Sequence, residues 1–285
     1  MRVGMVFDLH VTEGQRRPYD GFERAKRGLQ ILNDRNVDWT LVGGDLRSFA
    51  SKNAERVGPW GEWAGDPDNP YFRRDFERVR RLLDDHLDSP YRVIRGNHDR
   101  PLSVFRETFP PEEFPRWDAV REGGVRFVFL DSSPSEGYHS LYQTQNFVTA
   151  PQLSMLDRLM DRDPTVPTFV FCHAPLAPFR SLDPDWETGR TAAYRFTLNY
   201  PAVQRRLERG DAVVVNCGHY SPDRGRATTR VNGVTHVIAR HFGKSDPDYD
   251  GDVRWMDVDA DGGEAVVRYY DLSTDETGVI TRVEW

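Results

Sequence analysis

The chain is short of cysteine, of long apolar runs and of positive charge, and each shortage excludes something. Its two cysteines, Cys172 and Cys217, are too few for a disulfide framework. Each closes an apolar run, so both read as reduced, buried thiols. No apolar run approaches the roughly 20 residues that cross a bilayer. The N-terminus enters a short strand without a signal-peptide pattern. A soluble, cytoplasmic protein without membrane contact is expected. The formal net charge is -7 with both signs interspersed, which argues against a binder of duplex nucleic acid and favours a small soluble substrate. Internal repeats and low-complexity runs are missing too, and nothing in the sequence reports an oligomeric state.

What the chain does have is the punctuation of an α/β protein. Its 285 residues suffice for a sizeable core, and no boundary divides them, so one domain over 1–285 is expected. Short apolar runs at residues 3–7, 38–42, 91–94, 168–172 and 212–217 read as buried strands. Helical periodicity covers 21–35, 71–87, 102–108, 151–160 and 201–209. Two hairpins are signalled, at Glu122-Gly123-Gly124 and at Asn232-Gly233. Strands at 253–258 and 265–270 and a final short pair close the chain. The uneven segment at about 48–70, with Trp60 and Trp63, reads as an insertion forming a lid or pocket wall. Residues 132–147 read as loop, and His139 within it either reaches substrate or is simply solvated.

Chemistry gathers at the strand ends. Asp8 and His10 follow the first strand two residues apart, so both can face one object. Asp45 follows Gly43-Gly44, and Arg47 beside it is either an anion holder or a solvated surface group. The stretch Arg95-Gly96-Asn97-His98-Asp99 offers an amide oxygen, an imidazole and a carboxylate in a row. His173 and His219 follow two further strands. Five such coincidences, on what reads as one sheet edge, are hard to attribute to packing; strand ends are where open α/β sheets place ligands. Carboxylate, imidazole and amide donors without a thiolate suit Mn, Fe or Zn. Asp45, with two oxygens, can bridge two ions about 4 Å apart, an arrangement suited to displacement at phosphorus.

The set Asp8-Leu9-His10, Gly44-Asp45, Gly96-Asn97-His98-Asp99, His173 and Gly218-His219, in that order, resembles the calcineurin-like metallophosphoesterases, in their phosphodiesterase-like branch. The likeness runs through nearly the whole chain. It implies a four-layer αββα sandwich of two mixed β-sheets flanked by helices, with metals at the strand ends. It implies that Asp8, His10 and Asp45 hold one metal, and that Asp45, Asn97, His173 and His219 hold the other. A hydroxide bridging the two would attack phosphorus in line. His98 would stabilise the transition state or protonate the leaving group, with Asp99 orienting its ring.

One departure stands out. The family's last motif usually reads Gly-His-x-His, but here Ser221 stands where its second histidine would complete the first metal site. Asp223, His236 or His241 could substitute, or the first site is weak, water-completed or empty. The expected function is metal-dependent hydrolysis of a small phosphate ester, a phosphodiester before a phosphomonoester, with a nucleotide among the candidates. Arg47 and Arg100 would supply cationic contacts, and Trp60 and Trp63 could stack on a base. The alternative is a non-catalytic binding protein, or a mononuclear enzyme of altered chemistry on the same fold.

Overall fold

The computed structural model describes residues 1–11, 21–47, 70–133, 146–177, 196–219, 226–238 and 251–285. The expected lid falls almost wholly outside them, as do Trp60, Trp63, His139, Ser221, Asp223 and His241.

The first half of the chain alternates strand and helix: β1 (Arg2–Val6), α1 (Gly21–Asp34), β2 (Trp39–Gly43), α2 (Pro70–His86), β3 (Tyr91–Ile94) and α3 (Leu102–Thr108). A hairpin of β4 (Asp118–Glu122) and β5 (Val125–Leu130) leads into α4 (Ala150–Arg162), β6 (Thr168–Cys172), α5 (Tyr200–Leu207) and β7 (Ala212–Cys217). Then come β8 (Ala227–Val231), β9 (Val234–Ile238), β10 (Asp252–Asp259), β11 (Glu264–Asp271) and β12 (Thr277–Glu284). The Asn232-Gly233 turn joins β8 to β9 with φ of 46° and 92°, the two left-handed residues that a tight hairpin turn requires. The last stretch, expected as a short pair, is one eight-residue strand. Its turn, around Asp275, comes before it, and its partner is β11.

The strands form two mixed six-stranded sheets, ordered β12-β11-β10-β1-β2-β3 and β4-β5-β6-β7-β9-β8. In the first, β1, β2 and β3 run parallel; in the second, β5, β6, β7 and β9 do. The strand-end residues therefore come from two sheets, not from one sheet edge. Those of β1, β2 and β3 face those of β6 and β7.

Alternation along the strands explains the layering. Phe127 and Phe129 of β5, with Phe169 and Phe171 of β6, point between the sheets and meet Val3, Met5, Trp39 and Leu41. Trp39 packs edge-on against Phe127, ring centroids 5.2 Å apart. The intervening Val128, Leu130, Val170 and Cys172 point outward against Leu156, Met160, Val203 and Leu207 of α4 and α5. The outer face of the first sheet is covered by Leu29, Leu32, Phe76, Val79 and Phe105 from α1, α2 and α3. Helix, sheet, sheet and helix are thus glued by three apolar interfaces, with each buried aromatic or branched side chain worth about 1.5–3 kcal/mol.

His236 lies on β9 and is fully buried. Its Nε2 sits 2.9 Å from Oε1 of Gln204 on α5. A ring turned to the helix layer is not a replacement metal ligand, so the structure corrects that expectation. Burial pushes its pKa down to about 4 from the usual 6.5. Between those values the unfolded chain takes up a proton that the folded chain refuses, so stability must fall as pH drops below 6.5. Thermal melts from pH 7.5 to 5 should show this loss, about 2 kcal/mol by pH 5, and His236→Gln should flatten it. Parallel curves for both proteins would refute the assignment.

Candidate metal centre

The segments following β1 and β2 stay paired beyond the sheet. Asp8 N donates to the Gly44 carbonyl at 3.0 Å, His10 N to that of Asp45 at 2.9 Å, and Val11 N to that of Leu46 at 2.8 Å. This continued ladder sets the Asp8, His10 and Asp45 side chains side by side. Their backbones are unusual: Asp8, His10, Asp45 and, across the site, His219 have φ of 57°, 48°, 49° and 64°. Left-handed conformations at non-glycine residues are uncommon and concentrate at functional sites.

The carboxylates are held by backbone N–H groups. His219 N donates to both oxygens of Asp8, at 3.1 and 3.0 Å. His98 N donates to Asp45 Oδ1 at 2.8 Å, which leaves Oδ2 facing three imidazoles. It lies 3.3 Å from Nε2 of His173, 3.8 Å from that of His98 and 4.0 Å from that of His10. Asp8 Oδ1 is also 4.0 Å from His10 Nε2. Nδ1 of His173 sits 3.0 Å from the Gly43 carbonyl. Donation there leaves Nε2 facing Asn97 Oδ1 and His219 Nδ1, each 3.2 Å away. Two trios, His10–Asp45–His98 and Asp45–His173–His219, each bring three ligand atoms within 4.8 Å of one another and share Asp45.

Glycines make this closeness possible. A Cβ added to Gly96 would fall on Oδ1 and the amide nitrogen of Asp45, and one added to Gly218 would fall on Oδ2 of Asp8. The glycines of both motifs let backbone approach a buried carboxylate.

Electrostatics point the same way. Burial, together with the neighbouring Asp45, pushes Asp8 up to about 7 despite the pull of His173. Asp45 is held well below the usual carboxylate range: burial opposes ionisation, but His173, His98 and His10 outweigh it. The same attraction overcomes burial at His173 and carries it up to about 10. Burial, helped by the neighbouring His10, Arg47 and His219 and opposed by Asp45, pushes His98 down to about 3. Crowded buried carboxylates and imidazoles of this kind are relieved by a cation, and the oxygen and nitrogen donors, with no thiolate among them, fit a divalent metal.

Several expected roles change. Asp99 accepts from Gly96 N at 2.9 Å and from Leu46 N at 2.8 Å, so its two oxygens brace the backbones of two loops where ring orientation of His98 was expected. Arg47 is buried under α2, its guanidinium over Phe72 at 4.1 Å, 3.8 Å from Asp75 and donating to the Arg100 carbonyl at 3.0 Å. Burial of that kind removes it from the role of a substrate contact. Arg100 is buried as well.

Other residues went unread in the sequence. Arg95 and Asp131 form a fully buried pair at 3.2 Å that ties β3 of one sheet to β5 of the other. Arg254, fully buried on β10, donates to the Cys217 carbonyl at 3.2 Å and lies over the Phe7 ring. Asn146 Nδ2 lies 3.3 Å from His219 Nε2. An arginine at an inward position of an alternating strand was the available signal for Arg254; Asn146, in an aperiodic stretch, gave none.

A buried cluster of carboxylates and imidazoles that could hold metal thus lies where the two mixed sheets meet. The family model for calcineurin-like phosphoesterases matches residues 1–221, and the chain belongs to that family. It is a metallophosphoesterase. No curated protein matches the sequence. Among solved structures, a dimetal phosphatase from Danio rerio is similar over 99% of this chain and 99% of its own, at 14% identity and a TM-score of 0.70. A purple acid phosphatase from yellow lupin seeds (Lupinus luteus) is similar over the whole of this chain and 53% of its own, at 14% identity and a TM-score of 0.59. Likeness at these identities bears on the fold. Among the described residues no helix is long and apolar enough to cross a membrane.

Two outcomes test the centre. Gly96→Ala should lose metal affinity by tenfold or more on the order seen when supporting groups are disturbed, read by elemental analysis beside a melting curve. Wild-type affinity for Mn2+ should rise with pH between 6 and 8, most steeply below about 7, where a cation must displace protons from both Asp8 and His173. Calorimetric titration showing flat affinity over that range would contradict the site.

Proposed function

We propose that the chain hydrolyses a small phosphodiester with two cations, drawn from Mn, Fe or Zn. Asp8, His10 and Asp45 hold one; Asp45, Asn97, His173 and His219 hold the other. The observation that carries this reading is Asp45 Oδ2, which faces His10, His98 and His173 at 3.3–4.0 Å and so stands where one carboxylate serves both trios. When bound, such cations neutralise charge on phosphoryl oxygens and acidify water.

The chain's own groups do the rest. Backbone N–H groups of His98 and His219 fix the Asp45 and Asp8 carboxylates, so the donors are preorganised before substrate arrives. His98 keeps an uncharged ring near neutral pH, and its side chain is 23% exposed, the most open of the imidazoles at Asp45 Oδ2. It donates a hydrogen bond to the leaving oxygen. A diester is favoured because a terminal dianion is best held by an arginine fork, while Arg47 is packed against Phe72 and Asp75 and Arg100 is buried. The overall charge of -7 argues for a small soluble substrate over duplex nucleic acid.

His98→Ala should lower kcat by about 10²–10⁴ while metal content per chain stays at the wild-type value, measured on a panel of diesters and monoesters. Unchanged turnover would remove His98 from the chemistry. Loss of metal together with turnover would make it a ligand, as its place in the His10–Asp45–His98 trio allows.

A further inference from the structure

His219 presents its two ring nitrogens to different neighbours. Nδ1 faces His173 Nε2 at 3.2 Å, inside the Asp45–His173–His219 trio. Nε2 faces the carboxamide of Asn146 at 3.3 Å. A neutral imidazole carries one proton, and a ligating nitrogen must be the one without it. For Nδ1 to serve a cation, the proton has to sit on Nε2 and be accepted there.

The group nearest that nitrogen is Asn146 Nδ2; turned over about its last bond, the carboxamide brings its oxygen there to accept the proton. The residue is buried, and its backbone is fixed by a bridge to Thr197 and by Leu198 N donating to its carbonyl at 2.8 Å. As placed, its Oδ1 accepts from Ser133 Oγ at 3.2 Å. A hydroxyl both donates and accepts, so the amide is satisfied with either its oxygen or its nitrogen toward the ring. Ser133 N is held by Asp131 Oδ1 at 2.8 Å, and Asp131 by the buried Arg95 and by Arg116 at 3.2 and 3.1 Å. Gln152 clamps the Asp131 backbone from both sides, at 2.9 Å each. The adjacent Ser132 Oγ accepts from Ala174 N, next to His173. One chain of contacts thus runs from Arg95, just after β3, to the far side of His219.

We infer that Asn146 is a positioning residue: its carboxamide oxygen accepts the Nε2 proton of His219 and so fixes the tautomer whose Nδ1 lone pair faces Asp45 and His173. This rests on the two-cation reading above.

The test needs no turnover. In the Zn2+-loaded protein, nitrogen NMR of the histidine rings should place the His219 proton on Nε2. Asn146→Asp, which can only accept, should keep that tautomer and bind Zn2+ within a few-fold of wild type. Asn146→Leu should bind it about 10–100-fold more weakly, with the metal-free melting temperature recorded for each. A proton on Nδ1 in the wild type overturns the inference whether or not the leucine variant folds, and so does wild-type affinity in a folded leucine variant. A wild type that takes up no metal overturns the two-cation reading itself, and this role with it.

Discussion

Three buried carboxylates, those of Asp8, Asp45 and Asp99, each accept an N–H from another strand end, and the site depends on this stitching. Asp8 follows β1 and binds His219 N beyond β7. Asp45 follows β2 and binds His98 N beyond β3. Asp99 follows β3 and returns the bond to Leu46 N beyond β2. Charge-assisted bonds of this kind are short and strong in a low-dielectric interior. Their cost is equally clear: burying like charges together raises Asp8 and Asp99 to about 7. The geometry is therefore strong mechanically, and the buried carboxylates it gathers suit a cation.

Buried arginines support the same arrangement from below. Arg95 reaches across to Asp131, and Arg254 reaches across to the Cys217 carbonyl. Each spans the gap between the two sheets near the strand ends, where the apolar interface of Phe127, Phe169 and Phe171 gives way to polar groups. Interdigitated apolar packing already resists sliding of one sheet on the other. Directional bonds at this edge add to that hold, where the candidate ligands that follow β1 and β2 meet those that follow β6 and β7.

Most of the fold was legible because strand alternation and helical periodicity report burial directly. The runs at 91–94, 102–108 and 168–172 coincide with β3, α3 and β6. The donor cluster was legible for another reason: Asp8, Asp45, His173 and His219 all follow short apolar runs, and strand ends converge. What remained hidden were relations between side chains. Whether Asp99 braces a ring or a backbone, and whether Arg47 meets solvent or the face of Phe72, depends on where α2 and the next strand end come to lie. Spacing along a chain carries no record of that. Asn146 was hidden for the same reason, since its role is defined only by the ring it touches.

The left-handed backbone at Asp8, His10, Asp45 and His219 also bears on how such a protein can change over generations. Aspartate, asparagine, histidine and glycine tolerate that conformation; alanine and the β-branched residues resist it. The positions are thus filled from a short list by shape as well as by chemistry. A descendant freed from selection for metal would drift first toward asparagine or glycine there, keeping its fold while its charge disappeared. Divergence of that kind would leave a recognisable scar: a ring of small polar residues, still left-handed, around a centre that no longer holds anything.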